Sequence, residues 1–499
     1  MAITAPAGST ARSGVRTPAG RGWLSTPSVR HLVALVVATG ILLALHLGPA
    51  LPGLKPQAQT ILGVFLWFII LLATEAVPQI IVGVGAPLLV VLLNGAPVDA
   101  AFNAFNSDVF FLILSAFVLV AVMIGVGLGK RVAFGVVHLV RSTRATRIMG
   151  AMTVAGTLLH AILPTVSETA LFLPISRCLG ELSEGQETPP ELKRANQAMI
   201  LMVTGLVPLF AGVFFLTAGV PNLVLAALLD QSSGIKVNWL DWFVYNLPLW
   251  GLIPILFLLV RWWFKLGKVE LPNATENLDR VRTELGPIKR NEIWVLVCIA
   301  VGFALWVTEP LHGISTGMAA LVMIGLLFMP WGGLRFADHS NAVMWQLLFL
   351  IGGAISMGNL LFKSGAVIWL AQFAVTPIER SGIHNGIVVL FILALALHVA
   401  RAGIISGAAM AAVFIPLIIG IAKQLGFNVL PFSLILTNAL SFAVFVPISA
   451  VAVLIAVQAA ELKWREMVLF GSLLSVVSNI YLILAQSAWM TLLGHPLSG

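Results

Sequence analysis

Four ionisable side chains stand in stretches that otherwise suit a bilayer interior: His160, Glu168, His398 and Arg401. Glu168 lies in LPTVSETALFLPI, residues 163–175, where a carboxylate facing a water-filled cavity can hold a proton or a cation. Arg401 is the only charge in HVARAGIISGAAMAAVFIP, residues 398–416. A guanidinium keeps its proton, so in such a setting it pairs or faces water, and its planar fork suits a carboxylate or another oxyanion. The plainer alternative is a structural ion pair between Arg401 and Glu168. Both roles are compatible if substrate displaces the internal partner. His160 and His398 read either as a proton relay or as packing and hydrogen-bonding residues.

Breaks in the apolar runs place these groups. Pro164 interrupts one run and is followed by Thr165, Ser167, Glu168 and Thr169. A proline removes an intrahelical bond, and Ser167 or Thr169 can then cap the new helix start, with Glu168 completing the cap. The run 196–229 is interrupted at Pro208 and again at Gly219-Val220-Pro221-Asn222, and the run 430–459 at Pro447, close to Ser449. Unwound backbone at such breaks offers carbonyls to a cation, while half-helix N-termini favour an anion.

The elements that position these residues follow from composition. The chain is 59% hydrophobic, only 10% charged, and has a mean hydropathy of +1.02. Soluble domains are about 25% charged, so the chain is an integral membrane protein, and lipid restricts it to an all-α fold. Spans are expected at 31–49, 59–74, 77–94, 107–128, 196–229, 242–264, 291–309, 313–329, 342–362, 430–459 and 467–493. That makes about 11 transmembrane helices. The segments 148–178 and 386–422 are long enough for two passes but break near their middles, the mark of re-entrant helical hairpins. Residues 1–30, without an acidic side chain, read as a disordered cytoplasmic tail.

With this topology 22 of the 28 Lys and Arg residues fall on the side of the N-terminus, which is therefore cytoplasmic, with the C-terminus outside. The net charge of +8 reflects orientation in the inner (plasma) membrane and not nucleic-acid binding. Trp239, Trp242, Trp262, Trp263, Trp331 and Trp464 fall near span ends and read as interfacial anchors. Cys178 and Cys298 lack partners at ligand spacing, so no metal site follows. No phosphate-cradling glycine motif, HExxH or paired aspartates occur, which argues against an ATP-driven pump and against an enzyme.

The halves repeat. LWFIILLATEAVP (66–78) and ALWVTEP (304–310) both end a span on Thr-Glu, and FFLILSAFVLVAVMIGVGLGK matches LFLIGGAISMGNLLFKSGA at an offset of 238 residues. TLLH (157–160) and LALH (395–398) share that offset. Two inverted-topology repeats are expected, 31–264 and 291–499, joined by a cytoplasmic linker at 265–290.

At these residues the chain resembles the divalent anion:sodium symporter family of the ion transporter superfamily. Thr74-Glu75-Ala76-Val77-Pro78 resembles its TEAIP-like signature, Ser167-Glu168-Thr169 stands where its first hairpin carries Ser-Asn-Thr, and Gly219-Val220-Pro221-Asn222-Leu223-Val224 resembles its TPPNLV break. Ser406-Gly407-Ala408 falls on the second Ser-Asn-Thr. The resemblance implies a homodimeric elevator-type carrier of dicarboxylates, citrate or related anions, with sodium as the usual coupling ion. The candidate substrate ligands are Ser167, Glu168, Thr169, Asn222, Arg401 and Ser406, and the candidate ion-coupling residues are Ser167, Glu168, Gly219, His160 and His398. The departures admit another coupling: a fixed Arg401 replacing a bound cation, and Glu168 carrying a proton. The chain reads as a secondary active carrier of small anions, without a cofactor beyond a coupling Na+ or H+. A sodium/proton antiporter of the same superfamily, with Glu168 exchanging the ions and Arg401 structural, is the alternative.

Overall fold

The computed structural model of the chain describes residues 29–140, 142–180, 189–272, 276, 280, 283, 285–401, 406–446 and 449–498. Lipid leaves backbone polar groups no water to bond, and the described chain satisfies them with helices. The first half runs α1 (Val29–Leu47), α2 (Pro56–Thr74), α3 (Gln79–Leu92), α4 (Asp108–Val126) and α5 (Leu128–Val140). A helix pair follows, α6 (Ala145–Leu159) and α7 (Thr165–Gly180). Next come α8 (Pro190–Ala211), interrupted before α9 (Val220–Ser233), and α10 (Trp239–Tyr245), which bends by 52° into α11 (Leu247–Trp263).

The second half runs α12 (Arg290–Val307), α13 (Thr316–Leu327), α14 (Trp345–Ser364) and α15 (Ala366–Arg380). The second pair is α16 (Gly386–Arg401) and α17 (Gly407–Leu425). An interrupted span follows, α18 (Val429–Ser441) and α19 (Val451–Ala459), and α20 (Trp464–Leu492) closes the chain. Among the described residues eight helices are long and apolar enough to cross a bilayer, or nine if the bent pair is one span. The spans expected at 77–94 and 313–329 fall on α3 and α13, which are only 14 and 12 residues long.

Two helices were not anticipated, α5 and α15. Both are amphipathic, and the charges that Lys130, Arg131, Glu379 and Arg380 bring make them too polar to read as spans. Arg131 on α5 fastens that helix to the charged stretch after α11: its guanidinium donates to the carbonyls of Leu285 (2.9 Å), Gly286 (2.8 Å) and Pro287 (3.2 Å) and pairs with Glu292 on α12.

Two tryptophans are not interfacial anchors. Trp242 is wholly buried and donates to the Val213 carbonyl at 3.0 Å, and Trp239 is buried in an aromatic cluster. The bend between α10 and α11 turns this segment back onto the helix bundle, so proximity to a span end did not mean proximity to lipid. Trp262 and Trp331 are exposed, as anchors require.

Small residues let backbones meet where the halves cross. A Cβ on Gly353 of α14 would lie 1.9 Å from the Gly83 carbonyl oxygen of α3, so no side chain fits between them. The two interrupted spans also meet: Phe210 at the end of α8 stacks on Phe442 just past α18, with ring centroids 4.5 Å apart. Gly205 in α8 sits against Ala456 of α19.

Candidate functional site

The turn between α6 and α7 places His160 directly after one helix and Glu168 in the first turn of the next. Both side chains are fully buried, with 0% exposure, and His160 Nδ1 bonds Glu168 Oε2. Glu168 Oε1 has no hydrogen-bond partner among the described residues. The pair is fitted into space left by two glycines: a Cβ on Gly156 would lie 2.6 Å from Glu168 Oε1, and one on Gly212 3.3 Å from His160 Nε2. Thr165 donates to the Pro208 carbonyl (3.1 Å) and Thr217 to the Ala161 carbonyl (3.0 Å), so the turn is stitched to the interrupted span beside it.

The expected caps are not formed. Thr165 already begins α7, so Thr169 lies inside the helix and its hydroxyl donates to the carbonyls of Thr165 (2.9 Å) and Thr204 (3.0 Å). Ser167 is half-buried on the same turn. Glu168 is therefore a partner of His160, and not of Arg401.

Asn222 and Gly219 sit in the first break. Asn222 donates to the carbonyls of Gly212 (2.7 Å) and Phe215 (2.8 Å), closing the irregular segment that separates α8 from α9. A Cβ on Gly219 would lie 3.1 Å from the Gly212 oxygen, a close approach that only glycine meets without a shift.

In the second half, Arg401 ends α16 with 2% exposure. Its Nη2 donates to the Ser449 carbonyl at 3.0 Å, while Nε and Nη1 have no partner among the described residues. A buried guanidinium with two unsatisfied donors is costly unless an acceptor completes it. His398, one turn earlier, contacts the Ala394 carbonyl through Nδ1, and its Nε2 lies 3.0 Å from Asn479 Nδ2 on α20. Since the Asn479 amide donates, Nε2 accepts and the ring is neutral with its proton on Nδ1. Residues 402–405 and 447–448, which flank this region, lie outside the described residues. Ser406 caps α17, accepting from the Ala409 amide at 3.3 Å, and lines a cleft with Thr74 and Glu75.

Three groups result: His160 with Glu168, Gly219 with Asn222, and His398 with Arg401. No hydrogen bond or ion pair among the described residues joins the first group to the third. The Phe210–Phe442 stack connects the spans that carry them. Asn479 was missed by sequence reasoning, although the polar stripe Ser475, Ser478, Asn479 and Gln486 in the apolar α20 was a visible signal. Ser449 acts through its backbone, which no side-chain pattern reveals.

Residues 29–495 match the family described as the sodium:sulfate symporter transmembrane region. The chain is 24% identical over 429 residues to the citrate/succinate antiporter of Escherichia coli (strain K12), covering 80% of this chain and 85% of that protein. It is 23% identical over 484 residues to the sodium-dependent dicarboxylate transporter SdcS of Staphylococcus saprophyticus, covering 89% of this chain and 90% of that one. In fold it is similar to the YdaH transporter of Alcanivorax borkumensis, with a TM-score of 0.51 at 12% identity, over 87% of this chain and 99% of that chain. With a helical membrane fold and a family match over nearly all of its length, the chain belongs to the sodium:sulfate symporter family, whose members are membrane transporters and not enzymes.

Proposed function

We propose that this protein is a secondary active transporter of di- or tricarboxylates in the plasma membrane, working by exchange of one anion for another. The observation that carries the reading is Arg401, buried with two N–H donors unsatisfied among the described residues. A carboxylate supplies the acceptors and the countercharge that the described residues around it do not. The relatives named for citrate, succinate and dicarboxylates fit that chemistry.

Exchange follows from charge. Glu168 is bonded to His160 and forms no ion pair with Arg401 among the described residues, so it does not supply Arg401 with a countercharge. Arg401 leaves the empty site with a fixed positive charge, and moving such a charge through a low-dielectric region is costly. Anion binding removes that cost, so the loaded site crosses more readily than the empty one. Ser167, Thr169, Asn222 and Ser406 complete the substrate ligands in this reading, with Asn222 and Gly219 shaping the unwound backbone.

The carrier works as an elevator-type homodimer, built from inverted repeats at 31–264 and 291–499 around the linker 265–290. Support comes from helix order: α5 begins at Leu128 and α15 at Ala366, the same 238-residue offset that relates His160 to His398. The excess of basic residues puts the start of α1 on the cytoplasmic side and the C-terminus outside.

The buried His160–Glu168 pair favours one other reading, a sodium/proton antiporter. The test is thermal stabilisation of the purified protein by a panel of anions, with and without sodium and across pH. Stabilisation by one carboxylate, lost in Arg401→Ala and independent of sodium, supports the exchanger. A response to sodium or pH alone, indifferent to every anion, replaces it with the antiporter.

A further inference from the structure

The two faces of the helix bundle are not equally closed. On one, Trp239 of α10 stacks on Phe243 and on Trp306 of α12, at centroid distances of 5.9 and 5.7 Å, and meets Phe303 edge-on at 5.2 Å. Phe215, in the first break, stacks against Trp239 at 5.9 Å. The void beside this cluster, lined by Ala161, Ile162, Thr217 and Trp306, has a volume of about 10 Å³, at the lower limit of the space one water needs. The aromatic rings therefore seal the turn of the first helix pair from the side where α12 ends.

Away from this cluster a cleft of about 370 Å³ opens between Arg30 and His31 at the start of α1, Thr74 and Glu75 at the end of α2, and Ser406 and Ala409 at the start of α17. This volume falls within the range of small-molecule sites. Ser406 caps α17, so the cleft reaches the start of the second helix of that pair. Glu75 is exposed and adopts a left-handed backbone, with φ of 50°, a conformation uncommon for a residue with a side chain. No ion pair within 4 Å joins Arg30 to Glu75 among the described residues. Each charge therefore acts separately on a charged solute in the cleft.

We propose that this cleft is the route by which the anion reaches the second helix pair from the face where α1 begins, and that Arg30 and Glu75 set the charge it meets. The inference rests on the reading of the chain as an anion carrier. Arg30 attracts the approaching carboxylates and Glu75 repels them, so the two substitutions act in opposite directions. No group placed in the substrate site is altered.

The experiment is initial uptake of labelled succinate or citrate, whichever stabilises the protein, in sealed vesicles of each orientation. With substrate on the face where α1 begins, Arg30→Gln raises KM by about two- to five-fold and Glu75→Gln lowers it by a similar factor, the size expected of a single exposed charge. kcat is unchanged, Arg30→Lys restores the original KM, and the differences shrink as salt rises. Shifts of the same sign, no shift in either variant, or shifts seen only from the opposite face overturn the proposal. Loss of anion stabilisation in Arg401→Ala alongside any of those results leaves the carrier reading standing and removes only this route.

Discussion

The His160–Glu168 pair makes a quantitative prediction. Both residues have 0% exposure, and Glu168 already has one oxygen unbonded, so removing His160 leaves a carboxylate buried with no partner among the described residues. Breaking a buried pair from one side costs about 3–5 kcal/mol, so His160→Leu is expected to lower apparent stability by that amount. Glu168→Met removes the carboxylate and leaves a neutral imidazole short of one hydrogen bond, at about 1–3 kcal/mol. Replacing both at once fills the volume with apolar atoms and leaves nothing unsatisfied, and such replacements are often neutral or stabilising. The double variant is therefore expected to be more stable than His160→Leu alone, and if it is neutral the coupling equals the sum of the two single losses, about 4–8 kcal/mol. Melting temperatures of the four proteins in one detergent, with chemical denaturation for the free-energy scale, give the cycle. Additive single effects, or a double variant less stable than both singles, refute the pairing.

Two further outcomes follow from particular contacts. Gly156→Ala places a Cβ 2.6 Å from Glu168 Oε1 and 3.0 Å from Val207 Cγ1; it is expected to cost about 1–3 kcal/mol through overpacking, read as a lower melting temperature that substitution of Glu168 by a shorter side chain partly restores. Arg131→Lys keeps the charge but loses the fork that reaches three carbonyls and Glu292; a loss of about 1–2 kcal/mol is expected, and protease cleavage in the stretch 265–289 should become faster than in the unaltered chain.

Much of the fold was legible because lipid allows so few solutions. The apolar runs became helices within a few residues of their expected limits, as with α2 against 59–74 and α14 against 342–362. The break at Gly219 falls at the N-cap of α9, with Val220, Pro221 and Asn222 opening the helix, because glycine and proline act on the backbone locally; Pro447 lies outside the described residues. The helices α5 and α15 escaped notice because their stability comes from lying against other helices, and their charges hide an apolar face. Trp239 and Trp242 misled for a related reason: a 52° bend decides whether a span end faces lipid or core, and the bend arises from tertiary packing.

The sequence alone singled out His160, Glu168, His398 and Arg401 as ionisable groups in apolar stretches, since residue type and hydropathy mark such runs. It also carried the family match from residue 29 to residue 495. Which ionisable groups pair was decided only by tertiary structure. On paper the partner weighed for Glu168 was Arg401, and the turn between α6 and α7 instead delivers His160 to it at a separation of only eight residues. That local closure leaves Arg401 with the Ser449 carbonyl and two unused donors. Pairing depends on angles between helices, set by contacts such as Gly83 against Gly353 and Phe210 on Phe442, and a linear pattern does not encode those angles.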